Sequence, residues 1–138
     1  MKTNFIKQRS GGATSKEGVQ WSYSDKKMND KTYLLRREVI NIIYEIKKSI
    51  PSLPRVDVRI MDSKGCAGLA GLGSNGIRIN LDLCRKTLFQ VVCHEIGHAV
   101  YSLDHNESCP LMASGTGKLS AHKISESLAL KILKSYSK

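Results

Sequence analysis

The sequence predicts an α+β fold, and three observations carry that prediction. Residues 31–49 repeat apolar side chains at helical spacing. Segments 55–61 and 77–81 alternate polar and apolar residues, the period of a half-buried strand. Helical patterns then return from Arg85 to about Ser102 and again in the stretch introduced by Leu119-Ser120. Together they predict a small mixed sheet containing a hairpin, packed on the first helix, with two more helices after it.

A chain of 138 residues is one domain by size and long enough to bury a core. The expected division is a flexible arm over 1–29 and a folded domain over 30–138. The arm is polar and rich in Gly, Ser and Lys, as in Ser10-Gly11-Gly12-Ala13-Thr14-Ser15, with an ordered patch at most around Trp21-Ser22-Tyr23. Trp21, the single tryptophan, could anchor the arm on the body; the alternative is a latency segment lying across a cleft.

Asp30 offers an N-cap to the first helix. Tyr33, Leu34, Val39, Ile40, Ile42, Ile43 and Ile46 form its broad apolar face, Lys47 and Lys48 suit its C-terminal end, and Pro51 stops it. Arg55-Val56-Asp57-Val58-Arg59-Ile60-Met61 follows as a strand. Gly65 to Gly73 is small and flexible, and Ser74-Asn75-Gly76 turns the chain into Ile77-Arg78-Ile79-Asn80-Leu81. The two strands are expected to pair as a hairpin, whose exposed edge could take an extended peptide as an added strand.

In the central helix Leu88, Val91, Val92, Ile96, Ala99 and Val100 supply packing, while His94, Glu95 and His98 share the other side. His94-Glu95-Ile96-Gly97-His98 is an H-E-x-x-H run. Histidines four apart stack on one helical face and can hold one ion, with the glutamate placed to act on a metal-bound water as general base. A buried histidine pair without metal would leave ring nitrogens to satisfy, which favours a Zn²⁺ site over a merely structural pair.

Net charge is +10, but Lys and Arg are spread along the chain without a basic arm, and no zinc-finger or RRM-like pattern occurs. The expectation is a solvated basic surface with no specific nucleic acid partner. Preference for acidic substrates, or loose attraction to polyanions, is the alternative. No apolar run reaches the roughly 18–20 residues of a membrane span. Met1 to Lys7 lacks an apolar secretory core, so the default location is cytoplasmic. Cys66, Cys84, Cys93 and Cys109 contain no C-x-x-C pair and are expected to be reduced structural residues.

A zinc centre needs a third protein ligand. Past the helix stand Leu103-Asp104-His105-Asn106 and then Cys109-Pro110-Leu111-Met112-Ala113-Ser114. Over about residues 76–136 the chain resembles the metzincins, and among them the matrixin-type branch. These zinc endopeptidases carry H-E-x-x-H-x-x-G-x-x-H followed by a methionine-containing turn. The resemblance implies a zincin fold, a Met-turn at Met112 forming an apolar floor, and a C-terminal helix after it. Two positions depart from the pattern. The family glycine corresponds to Tyr101, and the family's third ligand falls on Asp104, with His105 one residue later. Either Asp104 ligates, as in aspartate-using relatives, or one added residue brings His105 to the metal and removes the need for glycine. Glu126, 28 residues after His98, stands where a gluzincin-like arrangement would place a glutamate ligand, but it is expected to face solvent, as is His122.

The resulting expectation is a monomeric zinc metalloendopeptidase acting on peptide or protein substrates. His94, His98 and His105 (or Asp104) would hold Zn²⁺, and Glu95 would be the base. The alternatives are a zinc amidase acting on a non-peptide or cell-wall amide, a non-catalytic binding module of the same fold, and a nucleic-acid-associated protein.

Overall fold

The computed structural model describes residues 13–14, 20–21, 30–62, 67–114 and 124–137. Of the expected arm, β1 (Ala13–Thr14) and β2 (Gln20–Trp21) form a short antiparallel pair, with Ala13 opposite Trp21. The rest of 1–29 lies outside the described residues.

Helix α1 (Asp30–Ser49) has Asp30 in its first turn and Lys47 and Lys48 in its last, each favourable toward the helix dipole. Lys47 Nζ also donates to the Leu53 carbonyl at 2.5 Å, holding the chain as it leaves past Pro51. The buried face is Leu35, Arg36, Val39, Ile43 and Ile46. This corrects the expected face at its start: Tyr33 and Leu34 are 40% and 56% exposed. Leu35 stands four residues before Val39 and so shares its side, while Tyr33 and Leu34 are rotated away.

The sheet joins β3 (Asp57–Met61), β4 (Gly68–Ala70) and β5 (Gly76–Asn80) in the spatial order β3-β5-β4. The expected hairpin of 55–61 with 77–81 is not formed. β3 and β5 run parallel, in register from Asp57 beside Gly76 to Met61 beside Asn80. The intervening residues 62–75 are long enough for the crossover that parallel strands require. Alternation reports which face is buried but not which direction a neighbour runs. The hairpin is instead β4 with β5, antiparallel, so part of the glycine-rich segment expected to be flexible is an edge strand. Asn75, at φ +57°, makes the turn into β5.

Val58, Ile77 and Ile79 point from the sheet into the core shared with α1 and with α2 (Leu88–Ala99). A 3-10 turn at Arg85–Thr87 leads into α2, with Thr87 Oγ1 donating to the Cys84 carbonyl at 3.1 Å. α2 is the most enclosed element: Leu88 and Gln90 to Ala99 are all buried. Burying each of Leu88, Val91, Val92 and Ile96 contributes about 1.5–3 kcal/mol, enough to hold a helix that carries three polar site residues inside. α3 (Glu126–Ser135) packs Ala129 and Leu133 into the same core. Ser125 caps α3, its Oγ accepting from Leu128 N at 3.1 Å.

The architecture is therefore mixed α+β: three α-helices and a small three-stranded mixed sheet among the described residues. No helix among them is long and apolar enough to cross a membrane. Cys84, Cys93 and Cys109 are free thiols, with Cys84 exposed rather than packed; Cys66 lies outside the described residues.

The cap gives a direct test of how α3 is held. Ser125→Ala should lower unfolding free energy by about 1 kcal/mol in urea denaturation, whereas Ser125→Asp should keep most of it.

Candidate metal centre

The C-terminal end of α2 is tied down carbonyl by carbonyl. Val100 N donates to Ile96 O, Leu103 N to Gly97 O, Gly73 N to His98 O and Asn75 N to Ala99 O, all at 2.8–3.0 Å. Two of these donors belong to the loop between β4 and β5, so the hairpin is locked to the helix that carries the site. After the helix the chain reverses at Ser102, which adopts φ +56°. No glycine stands at this turn, and the left-handed conformation is taken by a serine instead. That serine stands one position after Tyr101.

Past that turn, residues 106–114 fold back beneath α2. Asn106 N donates to Met112 O, Cys109 N to Asn106 O and Ala113 N to Cys109 O. Asn106 Oδ1 also accepts from Ser108 N and Oγ. Met112 is buried against α2 at Gly97: a Cβ at that glycine would lie 2.6 Å from Met112 Sδ. Glycine inside a helix costs about 1 kcal/mol relative to alanine, and this close approach accounts for it.

The same turns aim the histidines. His94 Nδ1 lies 2.7 Å from Leu111 O, and His98 Nδ1 lies 2.5 Å from Leu103 O. A carbonyl only accepts, so both Nδ1 atoms carry their protons and the Nε2 atoms are left as acceptors. The two Nε2 atoms face each other at 3.1 Å. Two lone pairs at that distance repel unless a proton or a cation lies between them. Nitrogen ligands about 2.0–2.1 Å from a tetrahedral Zn²⁺ would be about 3.3 Å apart, close to the observed separation.

His105 completes the group. One ligand atom from each of His94, His98 and His105 lies within 4.8 Å of the others. The His105 ring centroid is 5.4 Å from that of His94 and 4.9 Å from that of His98. His94 and His98 are buried while His105 is exposed. Asp104 lines the same cleft but is not a member of the group. Its Oδ1 accepts from His105 N at 2.8 Å, fixing the loop from which His105 projects. Glu126 is exposed on α3 and outside the group, as expected; His122 lies outside the described residues.

The cleft, of about 370 Å³, is lined by Gly68, Leu69, Ala70 and Leu72 on one side. His94, Glu95, His98, Asp104, His105 and Ser114 complete its wall. Glu95 is 2% exposed, and burial pushes its carboxyl up to about 8. Gly68 makes room for it, since a Cβ there would come within 2.9 Å of Glu95 Cγ and Oε2. Burial also pushes the neighbouring Cys93 thiol up, leaving it a small apolar packing group. Neither Tyr101 nor Tyr136 lines the cleft. The Tyr101 hydroxyl is enclosed, and the Tyr136 hydroxyl approaches Cys109 Sγ at 3.7 Å.

Residue order alone does not reveal Gly68, Leu72, or the two carbonyls that orient the histidines. Gly68 sits in a glycine-rich run where nothing local separates it from its neighbours. Backbone carbonyls carry no side-chain signature at all. No protein-family model, curated protein or solved structure matches the chain.

The buried carboxyl and the helix glycine each lead to a measurable outcome. Glu95 has a folded-state pKa above its unfolded value, so the metal-free fold loses stability as pH rises from about 4.5 to about 8 and keeps the deficit above that. In thermal melts of metal-free protein, Glu95→Gln should therefore exceed wild type at about pH 9 and match it at about pH 4. Separately, Gly97→Ala should destabilise by about 1–3 kcal/mol, because Met112 is enclosed and cannot swing into solvent. Combined with Met112→Ala, the loss should be well below the sum of the two single variants.

Proposed function

We propose that the protein is a zinc-dependent peptidase, metzincin-like and similar to the matrixin-type pattern, with His94, His98 and His105 as metal ligands and Glu95 as general base. The observation that carries this reading is the pair of Nε2 atoms facing each other at 3.1 Å, both Nδ1 protons being committed to backbone carbonyls. Three imidazoles suit zinc as donors, and each of the two on α2 has the outer-sphere carbonyl partner that metal-ligating histidines use. Support for His105 over Asp104 comes from the turn. The left-handed residue stands at Ser102, one place beyond the position of the family glycine, so a ligand one place later keeps step with it. Asp104 is already engaged in bracing His105.

Zinc held by this set supplies Lewis acidity, lowering the pKa of water and polarising a carbonyl. The remaining chemistry belongs to the chain. Glu95, beside the histidines and pressed against Gly68, is placed to take a proton from the attacking water and hand it to the departing amine. Its raised proton affinity suits that shuttle, since a base must hold the proton between the two steps. β4 lies at the sheet edge beside the cleft and is short, with Leu69 and Leu72 giving the rim an apolar character. An extended peptide can pair with such an edge through main-chain hydrogen bonds. Met112 supports the helix from below at Gly97.

Metal analysis and turnover of a peptide library test the proposal. Wild type should bind one zinc and cleave. Glu95→Ala should keep the metal and lose about 10²–10⁴-fold in turnover. His105→Ala should weaken zinc binding by about 100-fold or more, and Asp104→Ala by less than about tenfold. Wild type that binds no zinc would sink the reading. Zinc without peptide turnover would move it to a non-peptide amidase or a binding module.

A further inference from the structure

The outer face of the sheet carries a second feature. In-register pairing sets Arg59 of β3, Arg78 of β5 and Leu69 of β4 in one row across the sheet, all three exposed. Val58, Ile77 and Ile79 point the other way into the core, so this row faces away from it. Two guanidinium groups thus stand on neighbouring strands of this face. Arg59 already interacts elsewhere within the protein. The Arg78 side chain has no hydrogen-bond or ion-pair partner among the described residues.

Above the row is a depression of about 450 Å³, bounded by Arg59, Arg78, Leu69, Ser74 and Asp57 among others. Leu69 and Ala70 line both this depression and the histidine cleft, so the two meet across the β4 edge. A strand laid along that edge sends alternate side chains to the two faces of the sheet. A chain whose backbone reaches Glu95 and the histidines would therefore put an adjoining side chain on the arginine side. Arg78 and the apolar wall at Leu69 suit a single acidic group, with Arg59 already engaged and the carboxylate of Asp57 also lining the depression. The two arginines do not form the long cationic track that a nucleic acid backbone needs. The net charge of +10 adds long-range attraction for an acidic chain.

We propose that this depression is a subsite for an acidic side chain of an extended polypeptide, held by Arg78 beside Leu69. The proposal rests on reading the cleft as a peptide site, and it adds a substrate class to that site. Binding is measured by fluorescence anisotropy with labelled peptides alike except for Glu or Gln at one position, on metal-free protein, so that no turnover is required. The Glu peptide at the matching position should bind about threefold to fivefold more tightly, the size expected of a partly exposed ion pair. That preference should fade at high salt, vanish in Arg78→Gln and survive in Arg78→Lys. It should also survive in Lys134→Gln, which removes the same charge from α3. Equal affinity for Glu and Gln peptides at every position would overturn the proposal, as would a preference that persists in Arg78→Gln. Tighter binding of oligothymidylate, lost in Arg78→Gln, would assign the surface to nucleic acid instead. A zinc-loaded wild type that cleaves none of the peptides while the Glu preference holds would remove the peptidase reading and leave the subsite standing. Cleavage without the preference gives the reverse.

Discussion

Two hydrogen bonds from imidazole to backbone govern this molecule. Leu111 O and Leu103 O take the Nδ1 protons of His94 and His98, and the two Nε2 atoms are thereby forced face to face. Neither carbonyl belongs to a helix or strand. Leu103 follows the left-handed residue Ser102, and Leu111 lies in the clasped loop closed by Asn106 N and Met112 O. The histidine geometry thus depends on how the chain leaves α2, and that exit depends in turn on the hairpin loop that takes the last helical carbonyls. The site, the loop beneath it and the sheet edge beside it form one mechanical unit.

That unit is built on two close approaches, both at glycine. Gly97 lets Met112 press against the backbone surface of the helix, and Gly68 lets the Glu95 carboxyl lie under the edge strand. Each gives up local helix or strand propensity for a contact that no side chain would permit. The second has an electrostatic consequence. Wedged beneath β4, Glu95 is cut off from water and its proton affinity rises. In its ionised form the carboxylate weakens the metal-free fold, so the cost of its burial falls on the alkaline side. A buried carboxyl with raised proton affinity in a cleft beside two histidines is the kind of group that the proposed general base requires.

Much of the fold is legible in the residues, and the errors have definite causes. Helical spacing locates α1 and α2, and period-two alternation locates β3 and β5, because burial on one face imposes those periods on any sequence. Alternation carries no direction, so a parallel pair reads as a hairpin. The strand that does form the hairpin, Gly68–Ala70, is short and glycine-bounded and shows no period at all. Apolar character assigns Tyr33 and Leu34 to the buried face, while Arg36, whose charge hides its position, is buried instead. His94, Glu95 and His98 are legible as a group because one helix sets their mutual geometry. Arg59 and Arg78 are each readable as exposed strand positions, but only the parallel register puts them side by side.

The choice between Asp104 and His105 shows what local geometry adds to spacing. Counting residues from the H-E-x-x-H run lands on Asp104, since counting assumes that the chain turns where a glycine would stand. The chain turns at Ser102, a residue for which φ +56° is uncommon and carries a modest cost. Four hydrogen bonds to the helix end hold it there, and the position of the turn then sets the path of residues 103–105. Asp104, next after Leu103, accepts from the amide of His105, and the imidazole beyond it comes within reach of the other two. On the proposed reading the carboxylate and the imidazole do not compete for one place. The first fixes the backbone from which the second extends, an arrangement that a single residue at that point in the chain could not supply.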